Sequence, residues 1–213
     1  MTEFVFLQAL KINIHPPKAS IIKEVIWHPP LSSWLKVNTD GAVLKNALKA
    51  ACGGIFRNSF GSTVGCFAQK LVTESAFVAE SYGTMLAIEI ANQNNWMNIW
   101  LETDSMLLVM AFKAAHMIPC SLRNRWANCL ELTKSMNFLV SHIFREGNSC
   151  SNSLASLGLD CNEFVWWNYP PTVIRSEVVR NMLGSPILDL LASRLVCFSA
   201  FLCCMHLPFI EGN

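Results

Sequence analysis

The chain has 213 residues, 52% of them apolar and 15% charged, so it is too hydrophobic for a disordered polymer and long enough for one domain with its own core. Sixteen Lys and Arg against fifteen Asp and Glu leave a formal charge of +1, which excludes a basic protein that coats DNA and an acidic tail protein. If the chain binds a polyanion, local groups of residues must provide the binding.

The cysteines argue against a disulfide or zinc framework. There are nine, an odd number, with no CxxC pair and no Cys/His spacing of the zinc-site kind. The first residues contain Glu3 and lack the basic stretch of a secretory signal. We therefore expect reduced, mostly buried thiols and an intracellular location, nuclear or cytoplasmic.

Residues 1–33 are predicted to be a leader. Two Pro-Pro pairs, Pro16-Pro17 and Pro29-Pro30, bracket a short charged stretch, and a residue before proline favours extended backbone. From Trp34 the pattern changes to that of a folded domain, which we predict over 34–160.

Three strands open this domain: WLKVNTDGAV, ACGGIFRN and STVGCFAQKL, with a turn over 58–61 between the last two. They form an antiparallel meander. A helix over 76–92 then feeds the strand MNIWLETD, and further helices are predicted from Ser105 and over 121–136. The strand FLVSHIF, the loop REGN and the helix CSNSLASLG complete the pattern. Strands first and strand-helix alternation later predict an α/β fold, a mixed sheet with helices packed on it.

Residues 161–213 are predicted to be a linker and an apolar tail. The linker signal is WWNYPP, and residues 187–210 are strongly apolar. Membrane anchoring by this tail is not favoured, because the uncharged stretch between Arg194 and His206 is shorter than the about 20 residues that a spanning helix needs. The alternatives are a tail that packs on the domain and one with no selected structure.

Acidic residues are scarce, so their positions are informative. Asp40 follows an alternating strand in which Asn38 shares its face, and Asp104 ends another strand just before a helix. Glu80 lies in the first turns of an otherwise uncharged helix. Strand-end acids beside helix starts suggest a site for a metal ion with oxygen ligands, although each acid alone could be a cap or a surface residue.

Taken together and in order, VNTDGA, CGGIFRN, the AES step, WLETDS, VSHIFREGN and SLASLG resemble the ribonuclease H type 1 fold. The resemblance is in particular to the plant RNase H-like domain found free-standing or in non-LTR retroelement reverse transcriptases. It covers about Trp34 to Gly158. It implies a five-stranded mixed sheet of order 3-2-1-4-5 with helices on both faces, and a Mg²⁺-dependent endonuclease, also able to use Mn²⁺, that hydrolyses the RNA strand of RNA/DNA hybrids.

The resemblance also implies the residues that hold the metal and perform catalysis. The acids of the family fall on Asp40, Glu80 and Asp104, but the fourth acid falls on Asn152, which offers a carbonyl oxygen and no charge. Glu146 stands near a loop position where many bacterial relatives carry a histidine that aids product release. It is either a proton shuttle or a solvated loop acid.

Contacts to nucleic acid are expected from three groups of residues. The resemblance implies that strand glycines let the hybrid approach. Asparagines would read 2′-hydroxyls, and a basic helix with a tryptophan would either bind phosphates or present a solvated face. These residues are Gly53, Gly54, Asn38, Asn58, Arg123, Arg125 and Trp126.

The missing fourth acid leaves two functions open. The first is a weakened RNA/DNA hybrid ribonuclease, and the alternative is a catalytically silent module that binds nucleic acid. Neither requires a stable protein partner, and we expect a monomer.

Overall fold

A computed structural model describes residues 24–44, 49–185 and 187–188. The chain divides into two compact units, one comprising Val25–Ile187 and the other Met1–Glu24 with Leu188–Asn213. Only Glu24 and Leu188 of the second unit are described. The Pro16-Pro17 pair and the apolar tail beyond residue 188 therefore lie outside the described residues.

One sheet of six strands forms the centre of the larger unit. In chain order these strands are β2 (Leu35–Leu44), β3 (Lys49–Arg57), β4 (Thr63–Leu71), β5 (Asn98–Thr103), β6 (Asn137–His142) and β7 (Val165–Trp167). The spatial order is β6-β5-β2-β3-β4-β7. Counted from β2 as strand 1 to β6 as strand 5, the sheet has the order 3-2-1-4-5. The predicted strand order is therefore confirmed. Two further strands of two residues, β1 (Glu24–Val25) and β8 (Ile187–Leu188), form a separate small sheet.

The strand directions follow from the connections. Strands β2, β3 and β4 form the predicted antiparallel meander, while β5 and β6 lie parallel to β2 because a helix separates each from the strand before it. The turn between β3 and β4 closes where Gly61 donates to the carbonyl of Asn58 at 2.9 Å. Gly61 has φ +75°, which glycine adopts without steric cost.

Helices cover both faces of the sheet, as predicted. They are α1 (Ala76–Gln93), α2 (Met106–Ala111), α3 (Arg123–Lys134), α4 (Ser149–Gly158) and α5 (Arg175–Met182). The main core includes Val37, Phe56 and Phe67 of the sheet with Met85 and Ile88 of α1. A smaller core on the opposite face joins Ile55, Cys66, Cys150, Leu154, Ile174 and Val178.

The compact unit extends beyond the predicted domain on both sides, which corrects the interpretation of the flanking segments as leader and linker. Trp27 is 2% exposed and lies within the fold. On the other side β7 adds to the sheet beside β4, and Ile174 and Val178 are buried against it. The proline pairs that predicted linkers instead mark extended approaches to packed elements.

In the described ranges, no helix combines the length and the apolar character needed to cross a membrane. The six cysteines described there are all unpaired, and four of them are buried. This agrees with their predicted role as small apolar core groups.

Candidate active site

A cavity of about 400 Å³ opens where β2 and β5 end beside α1 and α4. Its lining includes all four predicted metal-site residues together with one cation: Asp40, Glu80, Asp104, Asn152 and Arg145. Residues that lie up to 112 positions apart in the sequence therefore meet at one edge of the sheet. Asp40 is 7% exposed, whereas the others are more accessible.

Gly41 brings Glu80 next to Asp40. A Cβ at Gly41 would lie 2.4 Å from the backbone nitrogen of Glu80, so any side chain there would push α1 away from β2. The backbone N–H of Gly41 also donates to Oδ1 of Asp40 at 2.7 Å. The Asp-Gly step of the sequence thus fixes one carboxylate and admits the helix that carries the next.

Gly53 has the corresponding role for α4. A Cβ there would lie 2.4 Å from the backbone nitrogen of Ala155, and Gly53 is the residue opposite Asp40 in the β2–β3 ladder. Glycine at this position lets α4 pack directly on the sheet and brings Asn152 to the cavity. Gly53 and Gly54 are both buried, Gly54 facing Phe67. This corrects their predicted role in admitting the hybrid, because the space they leave is filled by the protein itself.

Burial and mutual repulsion disturb the acids of the cavity. Desolvation, followed by the negative charge of Asp104, raises the pKa of Asp40 to about 7, against the smaller opposing effect of the Gly41 N–H. Burial also raises the pKa of Glu80, while a hydrogen bond with Ser105 lowers it. Ser105 starts α2 as predicted, yet its side chain makes no capping bond within that helix. Such a cluster of acids is electrostatically costly unless a cation offsets it.

The donor set fits a hard divalent cation. Carboxylate and amide oxygens are the ligands that Mg²⁺ and Mn²⁺ prefer, and the cavity offers three carboxylates and the amide of Asn152. Within the described residues, no three His, Cys, Asp or Glu side chains are already grouped tightly enough to form a metal site. The acids are thus gathered around one cavity without a closed coordination shell, which is consistent with their mutual repulsion.

Asn38 is held inside the protein and cannot read nucleic acid, which corrects its predicted role. It is fully buried, and its Oδ1 accepts from the indole N–H of Trp27 at 3.0 Å and from Nη2 of Arg57 at 2.7 Å. Its Nδ2 donates to Glu102 at 3.1 Å and to Asn148 at 3.3 Å. All four hydrogen-bonding positions of this amide are used.

Asn148 is a site residue that the sequence analysis missed. Its Nδ2 donates to Oδ1 of Asp104 at 3.0 Å and to the backbone oxygen of Thr39 at 3.0 Å. The REGN segment was predicted to be a loop, and nothing in that pattern distinguishes a buried amide from a solvated one. Its neighbour Arg145 lines the cavity, while Glu146 is half-buried in the same turn.

The predicted phosphate-binding helix uses its cations within the protein. Arg125 forms a bidentate pair with Glu89, both contacts being 2.7 Å, and Arg123 donates to the backbone oxygens of Ile118 and His116. Trp126 is 1% exposed and belongs to the core, so its predicted contact with nucleic acid is corrected. Phosphate contacts by the two arginines stay a prediction.

Asn58 shapes the turn between β3 and β4. Its Oδ1 accepts from the backbone N–H groups of Phe60 at 3.0 Å and Ser62 at 3.1 Å. This use of the side chain accounts for an asparagine at the start of the turn without any ligand.

Sequence comparison now identifies the family. Residues 38–158, more than half of the chain, match the family described as reverse transcriptase-like. The chain belongs to this family and contains an RNase H-like domain. A relative in Arabidopsis thaliana, named "Putative ribonuclease H protein", is 30% identical over 165 residues, which are 75% of this chain. The chain spans only 26% of the length of that relative.

Solved structures support the same fold. The ribonuclease H1 of the archaeon Halobacterium salinarum NRC-1 superposes with a TM-score of 0.54 at 24% identity, covering 60% of this chain and 98% of that chain. LC11-RNase H1, from compost and solved with an RNA/DNA hybrid, gives 0.53 at 20% identity, covering 59% and 96%. The RNase H-like domain therefore includes the two strands and two helices, β2, β5, α1 and α4, at which the cavity opens.

Proposed function

We propose that the RNase H-like domain is a divalent-metal-dependent endonuclease that hydrolyses the RNA strand of RNA/DNA hybrids. The observation that carries the proposal is the convergence of Asp40, Glu80 and Asp104, from three separate elements, on one cavity of this fold. Burial and the charge of Asp104 raise the pKa of Asp40 and Glu80, and a divalent cation would reverse that cost. The hybrid bound to LC11-RNase H1 supports the choice of substrate.

The residues that would hold Mg²⁺ or Mn²⁺ are Asp40, Glu80, Asp104 and Asn152. When bound, the metal supplies charge neutralisation and Lewis-acid activation for hydrolysis of a phosphodiester. The protein contributes a fixed carboxylate at Asp40, held by the N–H of Gly41, and an acid on α1 that Gly41 admits. Asn152 contributes an oxygen without charge, so metal affinity on the α4 side is expected to be lower than with a carboxylate.

Arg145 is the cation of the cavity lining and is exposed at its rim. Its charge lowers the pKa of both Asp40 and Glu80, although burial outweighs it in each case. In this position Arg145 would bind a phosphate of the scissile strand as a charge-assisted donor. Glu146, next to it, stays either a proton shuttle or a solvated loop acid.

The first experiment measures cleavage of a labelled RNA/DNA hybrid with Mg²⁺ or Mn²⁺. We expect slow cleavage of the RNA strand by the natural chain and none by Asp40→Asn. The matched control is Asp160→Asn, which removes an acid whose side chain is 81% exposed, and it should cleave as the natural chain does.

One observation favours the alternative of a silent nucleic-acid-binding module, namely the neutral Asn152 at the fourth ligand position. Hybrid binding measured in EDTA separates the two functions. A silent module retains binding without metal, whereas binding that depends on the metal supports the nuclease. Salt-sensitive binding without turnover in any metal would favour the module.

A further inference from the structure

The strongest unexplained feature of the domain is a row of buried amides behind the cavity. Asn38 is fully buried and Asn148 is 1% exposed, and neither faces solvent or a ligand. Buried polar groups are costly unless every hydrogen-bonding position is used. In Asn38 and Asn148 every hydrogen-bonding position of the amide has a partner, so the row determines how each amide is oriented.

The direction of each hydrogen bond in the row is determined by its ends. The indole N–H of Trp27 and the guanidinium of Arg57 can only donate, so the oxygen of Asn38 must face them. The amide nitrogen of Asn38 then faces Asn148 and meets its oxygen at 3.3 Å.

The same reasoning fixes Asn148. Its Nδ2 faces two acceptors, Oδ1 of Asp104 and the backbone oxygen of Thr39, so its Oδ1 must face Asn38 and the hydroxyl of Ser151, the latter at 2.7 Å. A reversed amide would place its oxygen against two acceptors. The carboxylate of Asp104 can only accept, and it therefore ends the row that Trp27 and Arg57 begin.

The end of the row is a residue of the candidate active site. Asn148 holds Oδ1 of Asp104 at 3.0 Å, which leaves the other carboxylate oxygen for a ligand in the cavity. Nε2 of His142 lies 3.1 Å from the backbone oxygen of Asp104, so the residue is restrained at two points. Outer-shell hydrogen bonds of this kind orient the carboxylates that ligate metals.

The start of the row is a segment that precedes the residues matched to the family. Trp27 lies before residue 38 and is buried in the same compact unit. Val25 lies beside the turn that carries Asn148. Its methyl group would be 3.0 Å from a Cβ placed on Gly147. The N-terminal segment thus contacts the row at Asn38, through Trp27, and lies beside the turn that carries Asn148, through Val25.

We propose that Asn148 is a positioning residue that aims the Asp104 carboxylate into the cavity. Trp27 and Arg57 set the orientation of the Asn148 amide through Asn38. This inference rests on the proposed metal-dependent function. It extends that function by making a tryptophan outside the family match part of the active unit.

The test compares Asn148→Ala with Asn181→Ala, which truncates another buried asparagine, 3% exposed and outside this row. Binding of Mn²⁺ to each folded protein is followed by the electron paramagnetic resonance signal of free Mn²⁺. We expect Asn148→Ala to weaken Mn²⁺ binding by about 10-fold to 100-fold, the range found for outer-shell partners. Asn181→Ala should bind Mn²⁺ as the natural chain does, even though both substitutions lower stability.

A third variant, Trp27→Phe, keeps an aromatic ring beside Arg57 and removes the N–H donor together with part of the indole ring system. It should weaken Mn²⁺ binding in the same direction and by a smaller factor. In hybrid cleavage, Asn148→Ala should need a higher Mg²⁺ concentration for half-maximal rate than the natural chain, whereas a loss of folded protein lowers the maximal rate and leaves this metal requirement unchanged.

The outcomes separate the two proposals. Equal Mn²⁺ binding by Asn148→Ala and Asn181→Ala, with active natural protein, overturns the positioning role alone. A natural chain that neither binds Mn²⁺ nor cleaves the hybrid overturns the proposed function and the positioning role together.

Discussion

The guanidinium carbon of Arg57 lies 3.6 Å from the centroid of the Trp27 indole ring. Arg57 is fully buried, and its Nε and Nη1 have no hydrogen-bond partner among the described residues. Burial lowers the pKa of this arginine to about 10, so its charge is held at a cost. The indole face offsets part of that cost by a cation–π interaction.

Removal of this ring should therefore destabilise the domain strongly. Trp27→Ala is expected to lower the free energy of unfolding by about 3 to 5 kcal/mol, since it opens a cavity and exposes a buried cation. Unfolding in urea measures the loss. Leu31→Ala, at a residue 76% exposed in the same segment, should change stability by less than about 0.5 kcal/mol. Equal effects of the two substitutions would contradict the burial of Trp27.

Lys36 and Glu102 form a second buried charge pair, with Nζ 3.1 Å from Oε1 and both side chains under 10% exposed. Burial lowers the pKa of Lys36 although the charge of Glu102 raises it. Lys36→Met should cost about 3 to 5 kcal/mol because it leaves Glu102 buried without its partner. The double variant Lys36→Met/Glu102→Gln should recover part of this loss in a double-mutant cycle.

The surface pair of Lys134 with Glu131 provides the comparison, because both side chains are more than 70% exposed. Lys134→Met should cost less than about 1 kcal/mol. If it cost as much as Lys36→Met, burial would not be the cause of the difference.

Asp40 should reduce the stability of the metal-free domain at neutral and alkaline pH. Its pKa in the folded chain, about 7, lies above the ordinary 3.8, so the folded state binds the proton more tightly than the unfolded state. The proton on Asp40 therefore favours the folded state. Its contribution to the free energy of unfolding is fully present below about pH 4 and is lost as the pH rises through about 7. Asp40→Asn should therefore stabilise the domain in EDTA by about 2 to 4 kcal/mol at pH 8.

This gain should shrink as the pH falls toward and through about 4, because the unfolded state then also protonates Asp40. Thermal unfolding in EDTA at several pH values measures it, with Asp160→Asn, at an exposed side chain, as the matched control. A gain that is constant across this range would argue against desolvation of Asp40.

Gly53→Ala tests how α4 is placed. The added Cβ would lie 2.4 Å from the backbone nitrogen of Ala155, so the helix must move. We expect a loss of at least about 2 kcal/mol in unfolding and weaker Mn²⁺ binding, because Asn152 moves with the helix. Gly83→Ala is a milder control, with a nearest contact of 3.2 Å to Cβ of Cys52, and should cost less than about 1 kcal/mol.

The sequence allowed the sheet and its order to be predicted, and it pointed to three acids that the structure gathers at one cavity. Alternation in β2 placed Asn38 and Asp40 on one face, and the order of motifs placed Glu80 and Asp104 near them. The first follows from local alternation along one strand, whereas the strand order and the grouping of the acids followed from the resemblance to the ribonuclease H type 1 fold.

The glycines and the buried amides could not be predicted in the same way. Glycine and asparagine are residue types expected at a ligand site. The surroundings of Gly53 depend on α4 and those of Asn38 depend on Trp27, and both partners are distant in the sequence. Only the packed structure shows that the helix fills the space beside Gly53 and that Asn38 has no position left for a ligand.

The segments beyond the predicted domain were misjudged for a related reason. Proline pairs around residues 29–30 and 170–171 signalled linkers, because X-Pro steps favour extended backbone. Extended backbone also suits a segment that carries Trp27 into the fold or leads from β7 to α5. Burial of the neighbouring aromatic and aliphatic side chains decides between these alternatives, and burial is a tertiary property.

The central claim is that the domain cleaves RNA/DNA hybrids at the acidic cavity with the help of a divalent metal, and that Asn152 weakens metal binding there. Its most direct test is cleavage of a labelled RNA/DNA hybrid by the natural chain and by Asn152→Asp across a range of Mg²⁺ concentrations, with Asp104→Asn as the inactive reference. We predict cleavage of the RNA strand alone, no cleavage without metal, and for Asn152→Asp a higher rate reached at lower Mg²⁺. If neither the natural chain nor Asn152→Asp cuts the RNA strand in Mg²⁺ or Mn²⁺, the claim is contradicted.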